Sequence, residues 1–172
     1  MRFVPLLMVL ALAGCATPRA PGVYTVTAPF DASQAEQMLG AGTGTVKGRA
    51  LFRESGGGVV TCAGNEASLV PATAYAAERM KALYLSEERG SNLFGPRVRA
   101  PMFAPDPADY HRLMRKTRCD AQGYFSFDNV AEGDYFVTTT AWSQAGSSLQ
   151  GGNLMKRVRV QPNATIEFVL SP

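Results

Sequence analysis

The side chains able to do chemistry are few, and their spacing excludes more than it suggests. One histidine, His111, stands in Asp109-Tyr110-His111-Arg112. A Ser-His-Asp relay or a zinc site needs a histidine with placed partners. No second histidine and no nearby cysteine pair accompany His111, so it reads as a surface residue. Asp106 with Asp109, or Glu87 with Glu88, offer the carboxylate pairs that glycoside hydrolysis uses. Solvated charges are the simpler reading of both. Gly56-Gly57-Gly58 lacks the Lys-Ser/Thr of a phosphate loop and is read as a turn. Trp142, with Tyr75, Tyr84 and Tyr110, supplies flat rings on which a sugar could stack, and Trp142 beside a Gly/Ser-rich stretch is the candidate ligand-binding residue. Core packing is the competing role for these rings. Arg112, Arg115, Lys116 and Arg118 form a basic cluster open to lipid head groups or acidic polymers, with plain solvation as the alternative. No catalytic residues, metal ligands or cofactor are assigned.

The three cysteines are Cys15, Cys62 and Cys119. In an oxidising compartment Cys62 and Cys119 can pair, which leaves Cys15 as the odd thiol. Two free buried thiols are the alternative. A bridge closing so long a loop would stabilise the fold by roughly 4 kcal/mol on the chain-entropy model.

The first residues explain the odd thiol. Arg2 precedes an apolar run over residues 3–12, and the run ends in Leu12-Ala13-Gly14-Cys15. A basic start, a short apolar core and a small-residue exit make a secretory signal, too short to span a bilayer. Leu-Ala-Gly-Cys in that place resembles the lipobox of bacterial lipoproteins. The resemblance implies cleavage before Cys15, lipid attachment to its thiol and an envelope address. Ala16 after the cysteine implies, on the same resemblance, the outer membrane facing the periplasm. Ala11-Leu12-Ala13 is also an A-x-A cleavage site, which would release a soluble protein instead. Cysteine parity favours the anchor.

The elements that must hold these residues are mostly strands. A chain of 172 residues is one ordinary domain with enough length for a single core. Its net charge of +3 is too mild for nucleic acid, which calls for a concentrated basic stripe. Residues 1–14 are the signal, and residues 15–43, opened by Pro18 and Pro21-Gly22, read as a flexible tether. Within the tether, residues 23–27 could make a short strand and residues 31–39 one helix capped by Asp31 or Ser33. From residue 44 the period is two: Val46, Ala50 and Phe52 face one way, Lys47, Arg49 and Arg53 the other. The same alternation puts Phe125 and Phe127, Val158 and Val160, and Ile166, Phe168 and Leu170 inward. Residues 71–107 break the pattern. Ala76, Met80, Leu83 and Tyr84 make a helical stripe, expected over residues 71–89 with Arg89-Gly90 as its stop, and a proline-rich loop follows. Residues 135–142 form a Thr-rich strand, and residues 144–152 read as a Gly/Ser-rich loop.

Cys119-Asp120-Ala121-Gln122-Gly123-Tyr124-Phe125-Ser126-Phe127, followed by Val130-Ala131-Glu132-Gly133-Asp134-Tyr135, is similar to the T-D-x-x-G-x-F-x-F-x-x-L-x-x-G-x-Y signature of carboxypeptidase regulatory-like domains. Thr45-Val46-Lys47-Gly48-Arg49-Ala50 resembles their opening strand. The resemblance spans residues 44–172 and implies a transthyretin-like, or starch-binding-like, Greek-key β-sandwich of about seven strands. Residues 71–107 depart from it as a helix-and-loop insertion. The chain is thus expected to be a non-catalytic, lipid-anchored envelope module that binds a protein or a glycan. A small hydrolase, or a subunit pairing through an edge strand, is the alternative.

Overall fold

The computed structural model describes residues 22–54, 56–94, 100–145 and 148–172. The signal segment and Cys15 lie outside the described residues. In chain order the first elements are β1 (Val23–Thr25), α1 (Ala32–Met38), β2 (Ala41–Arg53), β3 (Val59–Thr61), β4 (Glu66–Pro71) and α2 (Ala74–Tyr84). They are followed by β5 (Arg89–Leu93), β6 (Met102–Ala104), α3 (Ala108–Arg112) and β7 (Arg115–Arg118). The chain ends with β8 (Tyr124–Val130), β9 (Gly133–Ala145), β10 (Ser148–Val160) and β11 (Thr165–Leu170).

Alternation along the strands builds two sheets whose inner faces close on each other. The first is antiparallel in the order β5-β10-β9-β4-β7. In the second, β2 pairs in parallel with β11 on one side and antiparallel with β8 and then β3. Val46, Leu69, Val137, Leu154 and Val160 are fully buried between them, each such side chain contributing on the order of 2 kcal/mol. This is the expected all-β sandwich. Cys62, after β3, is bonded to Cys119, after β7, across a separation of 57 residues. The bridge closes the loop that carries α2, β5, β6 and α3.

Strands with period two also have an outer face, and on the first sheet one end of it is covered. Val70, Phe136 and Met155 point away from the main core and form a second one with Tyr75, Ala76 and Met80 of α2, Tyr110 of α3 and Val26. Helix α2 begins at Ala74, because Thr73 caps it by accepting from the Ala76 N–H (3.2 Å). Pro71, read as the helix start, closes β4 instead. The helix stops at Leu85 in the left-handed conformation (φ 59°), and Arg89-Gly90, read as the stop, opens β5.

Three sequence expectations need correction. The tether read over residues 15–43 ends earlier: residues 22–43 hold β1, α1 and the first part of β2, with Val26 and Ala35 buried. Residues 15–21 of that expected tether lie outside the described residues, whereas Val26 and Phe30 carry apolar surface that the second core accepts. Asp31 caps α1 by accepting from the Gln34 N–H (3.0 Å). The proline-rich loop contains β6, paired in parallel with β1, and α3. The Gly/Ser-rich stretch over residues 144–152 is largely strand, because its glycines serve close approach and not flexibility. Gly151 (φ +115°) faces Trp142, and a Cβ there would lie 2.1 Å from the Ala141 carbonyl oxygen. Eleven strands stand among the described residues where about seven are expected, since these segments add their own.

Tyr135, the motif tyrosine, is fully buried, and its single proton is shared between the carbonyls of Ala131 (3.1 Å) and Met38. It ties the turn after β8 to the end of α1, the loop-anchoring role expected of a tyrosine corner.

Candidate functional site

Of the residues read as possible catalysts, the fold brings Asp106 and His111 together, while Asp109 pairs with Arg112. His111 Nε2 lies 2.9 Å from Asp106 Oδ1, and the Arg79 guanidinium donates to the same oxygen. Arg79 is buried within a box of rings, 4.0 Å from Phe103, 4.5 Å from Tyr110 and 5.6 Å from Tyr75. Tyr75 donates to the Pro105 carbonyl at 2.7 Å. Burial raises the Asp106 pKa, but hydrogen bonds from His111 and Arg79 and their charge outweigh it and hold the carboxyl below its usual range. The arrangement clamps the loop before α3 onto α2. Asp109 pairs with Arg112 (3.1 Å), Glu87 with Lys81 (3.9 Å) and Glu88 with Arg157 (3.7 Å). Each of these three carboxylates has its own basic partner.

The basic cluster is likewise employed. Arg112 meets Asp109, Arg115 donates to the Asp128 and Asn129 carbonyls, Lys116 pairs with Glu66 and Arg118 donates to the Gly64 carbonyl. Gly57 adopts the positive φ (+87°) of the expected turn. Tyr75 and Tyr110 are buried, which removes them from any stacking platform, and Trp142 remains 44 % exposed.

The uncovered end of the first sheet's outer face holds a different constellation. Even-numbered residues of β9 point outward there, so Thr138, Thr140 and Trp142 follow one another along the strand. Pairing places Asn153 of β10 opposite Thr140, Gly151 opposite Trp142, and Ser68 of β4 opposite Thr138. Asn65, Glu66, Ser68, Thr138, Thr140 and Asn153 line a cleft of about 250 Å³, and Tyr84 forms its wall. Thr140 donates to Asn153 Oδ1 (2.7 Å), and Asn65 Nδ2 donates to the Thr140 carbonyl (3.0 Å), which fixes the floor. The hydroxyls of Ser68, Thr138 and Tyr84 make no hydrogen bond to any described residue. Burial, with the nearby Tyr110, pushes the Tyr84 pKa well up, so its phenol stays a neutral donor. The arrangement presents neutral hydroxyl and amide groups to a ligand, with one aromatic wall and Trp142 next along the strand.

Sequence reading took the threonines of this strand as β-formers only. The signal that could have found them is the parity they share with Trp142. Tyr84 belonged to a helical stripe, where a ring is normally core, and nothing local marks its hydroxyl as unpaired.

A larger depression of about 730 Å³ lies over the second sheet, lined by Lys47, Arg49, Arg118, Tyr124, Glu167 and Val169 among others. Much of its polar equipment already serves the fold. Arg49 donates to the Gln122 carbonyl and stacks over Tyr124 at 5.0 Å, and Asp120 Oδ1 accepts the Gln122 and Tyr124 N–H groups.

No protein-family model matches the chain, and no curated protein matches it. Among solved structures it is similar to a "putative carbohydrate binding protein" from Pseudomonas aeruginosa, with a TM-score of 0.65 and 20% sequence identity. The likeness covers 83% of this chain and 97% of that one. At this identity it establishes the sandwich as the shared fold.

Proposed function

We propose that the protein is a non-catalytic carbohydrate-binding module, carried on a lipid at Cys15 in a bacterial cell envelope. One observation carries the binding reading. The outer face of the first sheet keeps three unpaired hydroxyls and a side-chain amide in one cleft walled by Tyr84, and the exposed ring of Trp142 is the next outward residue after Thr140 along β9. Sugars are recognised in this way, by neutral hydrogen-bonding groups for the hydroxyls and flat rings for the C–H faces. The name of the Pseudomonas aeruginosa neighbour agrees with this reading. The larger depression, where Tyr124 and Val169 are half-exposed beside Arg49, favours a protein partner as a second reading.

Affinity electrophoresis through gels containing different polysaccharides tests the first reading. At least one polysaccharide should retard the protein, and Trp142→Ala should weaken that retardation about tenfold, the loss expected for one stacked ring. Equal retardation of the variant would exclude Trp142 from the site. For the anchor, Cys15→Ala should move the protein from the detergent phase to the aqueous phase and abolish labelling by a fatty-acid analogue.

A further inference from the structure

We propose that the ribbon of β1 and β6 is the face by which the protein rests on the bilayer that holds its lipid; the inference rests on the lipid-anchor reading above. The two strands form a sheet of their own, outside both sheets of the sandwich. They run parallel, with Val23 opposite Met102, Tyr24 opposite Phe103 and Thr25 opposite Ala104. Alternation gives such a ribbon two faces. Phe103 turns onto the second core, where the Arg79 guanidinium lies 4.0 Å from its ring centroid. Val23 and Met102 share the other face, and they are 61% and 59% exposed. A single exposed apolar side chain is ordinary in a folded protein. Two side by side at one end of a ribbon make a continuous apolar patch.

What covers the patch follows from where the chain arrives. Val23 stands eight residues after Cys15. Fully extended, eight residues reach at most about 29 Å, so a lipid on Cys15 keeps this end of the ribbon within that distance of the bilayer. Because the strands are parallel, Met102 lies at the same end. The lipid and the patch are then two linked contacts with one surface, and linkage lets a weak second contact form that would not hold alone. The chemistry suits the boundary between head groups and acyl chains. β1 and β6, Val-Tyr-Thr and Met-Phe-Ala, carry no charge that would have to be desolvated. Tyr24, exposed beside Val23, has the amphipathic ring that prefers a membrane interface. Two carboxylates lie past the other end of the ribbon: Glu78 accepts the Thr27 and Ala28 N–H groups, and Asp106 follows β6.

The test uses the full lipidated chain in phosphatidylcholine vesicles whose acyl chains carry a nitroxide, which quenches a fluorophore only on contact. With Cys15 acylated and Cys62 bonded to Cys119, an introduced cysteine is the one free thiol for a dye. Dyes on Val23→Cys and Met102→Cys should be quenched. Dyes on Leu149→Cys and Val169→Cys, comparably exposed residues of the sandwich strands, should not. The Val23→Cys and Met102→Cys chains should also melt with the original chain. Equal, weak quenching at all four positions would overturn the proposal and leave the anchor standing. Quenching of the ribbon dyes that appears only when phosphatidylglycerol is added would overturn the apolar contact. A lower melting temperature for either ribbon variant would show its side chain packed within the fold, and would also overturn the proposal. Dye emission that shifts with protein concentration in lipid-free detergent would give the face to a second copy instead. A mature chain whose mass shows no acyl group would overturn the anchor reading and the ribbon contact together.

Discussion

At the scale of residues, the buried cation Arg79 is structural. Three aromatic rings and the Asp106 carboxylate hold it, with His111 on the same carboxylate oxygen. Because the Asp106 pKa is lowered on folding, its ionised form is bound more tightly in the native state. That contribution is fully present above the ordinary aspartate value of about 3.9, and it is lost as pH falls through the lower folded value. Asp106→Asn should therefore lower stability at neutral pH and flatten the acid limb of a stability–pH profile measured by urea unfolding. A parallel profile for the variant would remove Asp106 from the clamp. Little of this cluster is legible beforehand. The sequence places Asp106 and His111 five residues apart but cannot show Arg79, from another element, arriving between rings. Cys62 and Cys119 were legible because counting thiols needs no geometry. The unpaired state of the Tyr84 hydroxyl was not, since it depends on what fails to come near.

Among elements, the long hairpin of β9 and β10 decides the cleft. It carries Thr138, Thr140, Trp142 and Asn153 on one face while its other face closes the main core. Composition hid it, because Gly151 and Gly152 look like loop residues. Gly151→Ala should cost about 1–3 kcal/mol, from a positive φ and a Cβ driven into the Ala141 carbonyl. It should also weaken glycan binding by displacing Trp142 across the ladder. Chemical denaturation and titration check the two effects, and a variant of unchanged stability would contradict the close approach. Strands whose alternation is clean, β2, β8, β10 and β11, face as their sequence predicts. The short strand within residues 23–27 was among the readings and is present as β1, but the packing of residues 26–30 was not legible because their partners are distant in the chain. Glu78 of α2 accepts the Thr27 and Ala28 N–H groups at 2.9–3.0 Å, a contact that no local pattern signals.

The whole molecule is a sandwich with a partial third layer. Helices α2 and α3 and the residues leading into α1 cover one end of the first sheet's outer face, and what they leave uncovered is the cleft. The Cys62–Cys119 bond pins the loop that carries most of this cover. Reduction should lower stability by roughly 4 kcal/mol, with protection from hydrogen exchange lost first in α2 and β5. Uniform loss across both sheets would mean that the cover and the sandwich unfold as one unit. Sandwich class, the inward faces of the clean strands and the bridge were readable from alternation and cysteine number. The cleft was not, because it is the remainder of a surface after distant segments have docked on it.

Glycan binding is proposed for the uncovered end of the first sheet's outer face. The most direct measurement is an amide chemical-shift titration of the full chain with an oligosaccharide that retards it on a gel. Shifts should concentrate at Ser68, Tyr84, Thr138, Thr140, Trp142 and Asn153. Shifts concentrated at Arg49, Tyr124 and Val169 on the opposite sheet would contradict that proposal.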